Sequence, residues 1–391
     1  LPLVFRLGRL LGSARVGVVA MAMAALSPYL VWYSQDLKMY SLLCLLGAAS
    51  WLLYLEALHR GAWPRWVGYV LVTAVMPYVH ILGVLLIPAQ AVAFLLGWSR
   101  FRWRWRPWVL SLALLTVPYL PLAAWQAPLL AQSFQTGHPY YPLSQMLSIL
   151  SRGWALGILA SAYAWLLLPF AVAGVSAVWV GPNPPALLRC AQDGLFPTRE
   201  GGAEAGAGRM LLAWLLLPAA LVYLISLRSP VFADRYLIAS VPALLLLLAG
   251  GVERWLSWRR AAGLALLTVL LLVGGYGIAL QGTYSVKTDA RSAAGIMQAR
   301  WDEGDAVVLQ IPYLRHSMEY YLGEGRAYVD GPYTNSGLSL GEVDLHLRRM
   351  LSHHRRAWLL LSESEMWDER GLTLQWFRGN AELLGEWELA R

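Results

Sequence analysis

Long runs without a charged residue alternate along this chain with short segments rich in Lys and Arg, and the alternation stops near Gln281. Apolar runs of about 17 to 25 residues have the length of a helix that crosses a bilayer. Val16–Trp32, Met39–Leu55, Pro107–Ala124, Gly153–Val180, Met210–Leu227, Tyr236–Val252 and Ala261–Gln281 all qualify. The stretch Trp66–Ser99 is longer, with His59, Arg60 and Arg65 before it and Arg100, Arg102, Arg104 and Arg106 after it. Short basic loops favour the cytoplasmic side. Both flanks then share that side, so the stretch must cross twice, with a turn predicted near Pro77, whose ring interrupts a helix. The pattern predicts about nine crossings.

The same bias assigns Arg6, Arg9, Arg15, Arg189, Arg199, Arg209, Arg254, Arg259 and Arg260 to the cytoplasm, and the assignments alternate without conflict. Outside fall Tyr33–Lys38, Val79–His80, Gln126–Arg152, Arg228–Arg235 and everything after Gln281. Gly181–Gly208, rich in Gly and Pro, reads as a cytoplasmic loop. No internal repeat is visible. Beyond Gln281 the pattern becomes that of a small α/β domain: Ala290–Trp301 as an amphipathic helix, Gly304-Asp305 as a turn, Ala306–Gln310 and Trp358–Leu361 as strands. The fold class is therefore a polytopic α-helical membrane protein, 1–281, with a small C-terminal extracytoplasmic α/β domain, 282–391.

Composition supports this division. Of 391 residues, 58% are hydrophobic and only 14% charged, and the mean hydropathy is +0.49, too apolar for an ordinary water-solvated chain. Up to Gln281 there are nineteen Lys and Arg against seven Asp and Glu, and beyond it twelve against sixteen, so the net +8 combines +12 with −4. The basic excess sits in the apolar part, where it reads as loop anchoring and not as a nucleic-acid footprint. Cys44 and Cys190 stand too far apart for a disulfide framework or a metal knuckle. Adjacent His353 and His354 lack ligand spacing and read as surface residues; a divalent metal is not indicated.

Chemistry is expected where charge meets hydrocarbon. Asp36 and Asp234 are the two carboxylates assigned to the outer face of the apolar part. Were the junction around Asp36 helical, Tyr33, Asp36 and Tyr40 would share one face, with Gln35 and Lys38 beside them. The bland alternative is helix ends and an interfacial tyrosine belt. In Asp234-Arg235-Tyr236, Arg235 offers a planar fork suited to phosphate, and the helix start adds free backbone donors. There the alternative is a surface pair of Asp234 with Arg228 or Arg235. His80 stands alone in a third outer turn, more plainly a turn residue than a catalyst.

Three of these segments carry a resemblance. Ser27-Pro28, followed by Tyr33-Ser34-Gln35-Asp36-Leu37-Lys38-Met39-Tyr40, resembles the "SP…YSQ-acid-x-base-x-Tyr" segment of bacterial membrane glycosyltransferases of the GT-C superfamily. More narrowly, it is similar to relatives of dolichyl-phosphate-mannose protein mannosyltransferases (glycosyltransferase family 39-like) and of the aminoarabinose lipid A transferase. Tyr78-Val79-His80 looks like that group's "YTHY" turn, and Asp234-Arg235-Tyr236-Leu237 with Pro242 resembles its "RYL…P" helix start. Asp289–Asp305, with Ala293-Ala294 and Gly304-Asp305-Ala306-Val307-Val308, is similar to the group's soluble tail.

The resemblance implies transfer of a sugar from a polyprenyl-phosphate donor to a lipid, protein or glycan acceptor, at the outer face of the bacterial plasma membrane. It implies a catalytic or orienting role for Asp36, donor-phosphate contacts from Lys38 and Arg235, and a site lined by Tyr33, Gln35, Tyr40, His80, Asp234 and Tyr236. No cofactor is implied beyond the lipid-linked sugar itself; membrane lipids are partners, and nucleic acid is not. In that family a carboxylate in the first outer loop is the general base. With an apolar, Met-less start at Leu1, the expectation is an upstream helix and loop carrying an Asp-Glu or similar pair, and an in-frame stop directly before Leu1 would contradict it. A secondary transporter or lipid flippase, which usually shows paired halves, and a membrane scaffold without catalysis are the competing classes.

Overall fold

The computed structural model describes residues 1–131, 139–157, 164–178, 202–283, 289–362 and 364–389. Most of the loop expected over Gly181–Gly208 lies outside them, as do Arg189, Arg199 and Cys190. The chain divides into two compact units, Leu1–Gln281 and Gly282–Arg391.

The first unit is helical: α1 (Pro2–Leu11), α2 (Ala14–Ala25), α3 (Pro28–Ser34), α4 (Tyr40–Arg60), α5 (Trp63–Val79), α6 (Leu86–Leu96), α7 (Trp98–Phe101), α8 (Trp105–Ala131), α9 (Leu143–Leu156), α10 (Leu168–Val178), α11 (Gly202–Ser226), α12 (Val241–Trp258) and α13 (Arg260–Thr283). Among the described residues, five helical stretches are long and apolar enough to cross a membrane. They are Tyr40–Arg60, Trp98–Gln126, Gly206–Ser226, Asp234–Trp258 and Arg260–Thr283, with a sixth if α2 and α3, bent by 60°, form one broken span. Among the described residues there are fewer uninterrupted spans than the hydropathy pattern predicts, and at one run local chemistry supplies the reason. Within Val16–Trp32, Ser27 accepts the amide of Leu30 and Pro28 opens a new helix, so the run bends. Of the run expected over Gly153–Val180, residues 158–163, 179 and 180 lie outside the described residues; α9 ends at Leu156, capped by Gly157 with φ +74°, and α10 covers Leu168–Val178.

Trp66–Ser99 does form two helices, but the break falls at His80 and not at Pro77, which lies inside α5. Pro77 has no N–H for the carbonyl of Thr73 four residues earlier. The hydroxyl of Tyr119 on α8 supplies the missing donor at 3.0 Å. The same device recurs in α11, where Pro218 leaves the carbonyl of Trp214 without its helical partner and the hydroxyl of Ser240 donates to it at 3.2 Å. Each proline thus ties its helix to a neighbour. Ser240→Ala and Tyr119→Phe are each expected to cost about 1–2 kcal/mol, the penalty of an unpaired buried polar group. Thermal unfolding in detergent reads this, and wild-type midpoints in both variants would contradict it.

Further polar contacts join α4, α5 and α6. Ser50 and Thr73 hydroxyls meet at 2.7 Å, and Gln90 donates to Ser50 at 2.8 Å. Tyr69 donates to the Gln90 side chain at 2.9 Å and Tyr54 to its backbone carbonyl at 2.8 Å. All five side chains are buried, and such shared donors hold apolar helices together where burial alone discriminates little. At the basic ends of the helices, Glu56 pairs with Arg6 at 2.6 Å and Arg65 at 2.9 Å, and Glu253 with Arg15 at 3.6 Å.

The second unit is a three-layer α/β arrangement. It comprises α14 (Ala290–Arg300), β1 (Asp305–Leu309), α15 (Leu314–Leu322), β2 (Ala327–Asp330), α16 (Leu340–Leu351), β3 (Arg356–Leu360), α17 (Ser364–Trp367) and α18 (Leu372–Asn380). The parallel sheet has the order β2-β1-β3, with Ala306 beside Ala327 and Asp305 beside Arg356. Alternation along β1 sends Val307 and Leu309 toward α14 and α15, and Ala306 and Val308 toward α16 and α18. Covered on both faces, β1 reads as an unbroken apolar run.

Asp305 begins the central strand, nearly fully buried. It accepts Arg356 Nε at 2.9 Å and Nη2 at 2.7 Å, and Trp358 Nε1 at 2.9 Å. Burial works against its ionisation, but these bonds outweigh burial and hold the carboxyl below its usual range. A carboxyl with a lowered folded-state pKa stabilises the fold above its unfolded value, about pH 4, and that contribution is lost as pH falls through the folded value. Protection of β1 amides from hydrogen exchange is therefore expected to fall below about pH 4 in the wild type and to be weak at neutral pH in Asp305→Asn. Equal protection of both proteins at pH 7 would contradict this. His353 is exposed, while His354 is half-buried and its Nδ1 lies 2.9 Å from the Gly304 carbonyl.

Candidate functional site

The residues singled out around Tyr33–Tyr40, His80 and Asp234–Tyr236 come from three helix ends of the first unit. The first is a bend. Residues 35–39 are not helical, so Asp36 does not join Tyr33 and Tyr40 by helical spacing. Ser27 and Pro28 fix the start of α3, and α4 begins afresh at Tyr40. The bend nevertheless brings both tyrosines together, buried, with ring centroids 5.5 Å apart in an edge-to-face contact. Asp36 is half-buried on the bend, near enough for its charge to act on both rings. Gln35 and Lys38 are exposed, and Lys38 pairs with no carboxylate among the described residues.

The second end is the α5 terminus. There His80 Nδ1 accepts the Leu82 amide at 3.3 Å and so caps the following 3₁₀ turn. That bond assigns the proton of a neutral ring to Nε2. The ring lies 4.6 Å from Tyr236 and 6.0 Å from Tyr40, so this capping residue also faces the cluster.

The third end is the 3₁₀ turn Asp234–Ser240, which leads into α12. Trp214 anchors it: its indole N–H donates to the Ala239 carbonyl at 2.9 Å, and its own carbonyl accepts Ser240. Trp214 is in turn stacked on Trp51, with centroids 4.7 Å apart. This clamp sets Arg235 against the start of α4, where its Nε donates to the Tyr40 hydroxyl at 3.1 Å. The guanidinium carbon also lies 5.9 Å from the centre of the Tyr40 ring and 5.5 Å from that of Tyr236. Neither Asp234 nor Arg235 forms a close ion pair among the described residues, although their charges still act on each other. Arg235 is thus a half-buried cation held through one nitrogen by a neutral phenol.

Two residues of this region escaped the sequence reading. Tyr29 meets Tyr33 edge-to-face at 4.8 Å, one helical turn earlier, and is fully buried with its hydroxyl turned to Asp234 and Trp154. Trp154 on α9 is also buried, beside the Tyr29 hydroxyl. Both lie on the Asp234 side: Asp234 Oδ2 sits 3.5 Å from where a side chain on Gly153 would begin, and the Tyr29 ring 3.9 Å from it. The i, i+4 spacing of Tyr29 and Tyr33 was a usable signal, whereas Trp154 sat inside a run expected to be an unbroken span.

No family model, curated protein or solved structure matches this chain. The site is accordingly argued from its own residues. It offers a fixed cation, buried phenols, an imidazole and two carboxylates at the edge of an apolar helical unit. Among the described residues no group of three or more His, Cys, Asp or Glu is placed to hold a metal ion.

Proposed function

We propose that this chain is an integral membrane glycosyltransferase that moves a sugar from a polyprenyl-phosphate donor to an acceptor at the outer face of a bacterial plasma membrane. The supporting observation is the convergence on Arg235. Segments some 40 and 195 residues apart, each similar to a motif of GT-C enzymes, meet there through the Arg235–Tyr40 hydrogen bond and the His80–Tyr236 and Tyr40–Tyr236 ring contacts.

In the proposed reaction an acceptor hydroxyl oxygen attacks the anomeric carbon of the sugar. The bond from that carbon to the phosphate oxygen breaks, its electron pair leaves with the polyprenyl phosphate, and the hydroxyl proton passes to a carboxylate. Charge builds on the departing phosphate. Arg235 has both Nη groups without partners among the described residues, and a fork of this kind meets two phosphate oxygens at once. A preoriented cation at the edge of hydrocarbon stabilises such a developing anion far more than one in water. Asp36, half-buried on its bend, orients the acceptor or the sugar, and exposed Lys38 meets the phosphate as it arrives. Tyr33, Tyr40 and Tyr236 line the path, and apolar faces of the helices take the prenyl chain.

The test uses native membranes containing the protein and a panel of radiolabelled polyprenyl-phosphate sugars. Time-dependent release of unglycosylated carrier is the expected result. Movement of labelled lipid or solute between vesicle faces with no donor consumed would instead favour a transporter or flippase.

A further inference from the structure

The first turns of α5 and α8 run side by side and leave a cleft of about 80 Å³. Trp63, Val67 and Leu71 form one wall and Pro107, Leu110 and Leu114 the other. Arg104 lies over Gly61 before the two helices and Tyr119 reaches Thr73 further along, so α5 and α8 run parallel, and Trp63 to Leu71 spans about 12 Å at 1.5 Å per residue. It opens sideways, since Trp63 is 55% exposed, Leu71 63% and Leu114 44%. The hydroxyl of Ser111, which also lines it, is already committed to the Trp108 carbonyl at 2.7 Å. Apart from Ser111 and the Trp66 indole N–H, which has no partner among the described residues, the lining is apolar.

Its mouth has the opposite character. Arg104 lays its guanidinium over Gly61, two residues before Trp63, where φ is +66° and any Cβ would overlap the cation. Arg102, Arg104 and Arg106 pair with no carboxylate among the described residues. No Asp or Glu occurs anywhere between Glu56 and Asp193. Exposed Trp98, Trp103 and Trp105 flank these arginines, as aromatic and basic residues do at the level of lipid headgroups. An arginine fork suits a phosphate diester, and a cluster of basic residues at a helix end selects anionic over zwitterionic lipid.

We propose that this cleft is a binding site for one anionic phospholipid of the surrounding bilayer, with an acyl chain between α5 and α8 and the headgroup phosphate on Arg104. The proposal rests on reading the long apolar helices as membrane spans, and it is independent of glycosyl transfer. Charge decides the occupant, because an apolar cleft alone would take any chain, whereas the unpaired arginines at its mouth favour a negative headgroup.

Protein reconstituted in nanodiscs of phosphatidylcholine with a minor fraction of phosphatidylglycerol is released into a mass spectrometer under native conditions, and the retained lipids are counted. One phosphatidylglycerol per chain is expected on the wild type. Leu110→Trp, which fills the cleft, should lose it, and Arg104→Gln should weaken retention about tenfold, as expected for one charge-assisted hydrogen bond. Leu264→Trp, on an exposed part of α13, should keep it. Only monodisperse protein is scored, and Val67→Phe replaces Leu110→Trp if that variant fails to fold. Retention that ignores headgroup charge, or persists in both cleft and Arg104 variants, would overturn the proposal. So would displacement of the phospholipid by equimolar polyprenyl phosphate, which would make the cleft a donor-lipid site.

Discussion

Arg235→Ala is expected to lower the rate of donor consumption by about 10²–10³-fold, the usual effect of removing one preorganised group that meets charge developing in a transition state. The size follows from its setting. Arg235 is half-buried, ion-paired with nothing among the described residues, and held through Nε by the Tyr40 hydroxyl. Arg235→Lys keeps the charge but loses the fork, and the account expects it to fall between wild type and alanine. Tyr40→Phe removes only the acceptor of Nε, so it should cost far less than Arg235→Ala. Initial rates with a labelled donor, on protein whose folding is checked by size exclusion, measure all three. Wild-type turnover in Arg235→Ala would remove the residue from the site.

The second large effect separates two adjacent glycines. At Gly251 on α12, a Cβ would overlap the backbone carbonyl of Ala173 on α10, whereas at Gly250 nothing lies within 4 Å. α12 belongs to the most buried candidate span, and backbone cannot step aside as a side-chain tip can. Gly251→Ala should therefore force the two helices apart at a cost of about 1–3 kcal/mol. Gly250→Ala should be neutral or stabilising by up to about 1 kcal/mol, since alanine is the better helix former. Chemical unfolding in a mild detergent compares them, and equal stability of the two variants would refute the close α10–α12 contact.

How much could be read beforehand varies by element. The boundary near Gln281 was legible because charge and hydropathy change together there. β1 and β3 fell within about two residues of their predicted positions, as short β-branched or aromatic runs after a turn allow. Pro77 misled, because hydropathy cannot show that Tyr119, forty-two positions away, supplies the donor that lets the helix continue. The bend over residues 35–39 also escaped, since periodicity assumes the helix it is meant to detect. For the site, the approach of Tyr33 to Tyr40 was expected, although from a helical spacing that the bend replaces, whereas the contact of Arg235 with Tyr40 was not. Tertiary contacts set by the Trp214 clamp bring Arg235 to Tyr40, and nothing within either segment encodes that distance.

The central claim is that the phosphate of a lipid-linked sugar sits beside Arg235. The most direct measurement is photo-crosslinking with a polyprenyl-phosphate sugar analogue whose reactive group lies next to the phosphate, followed by peptide mapping. The account predicts adducts on Tyr40, His80 or Tyr236 that disappear when excess unmodified donor is added. Adducts confined to other segments, or labelling of those three residues that excess donor does not reduce, would contradict it.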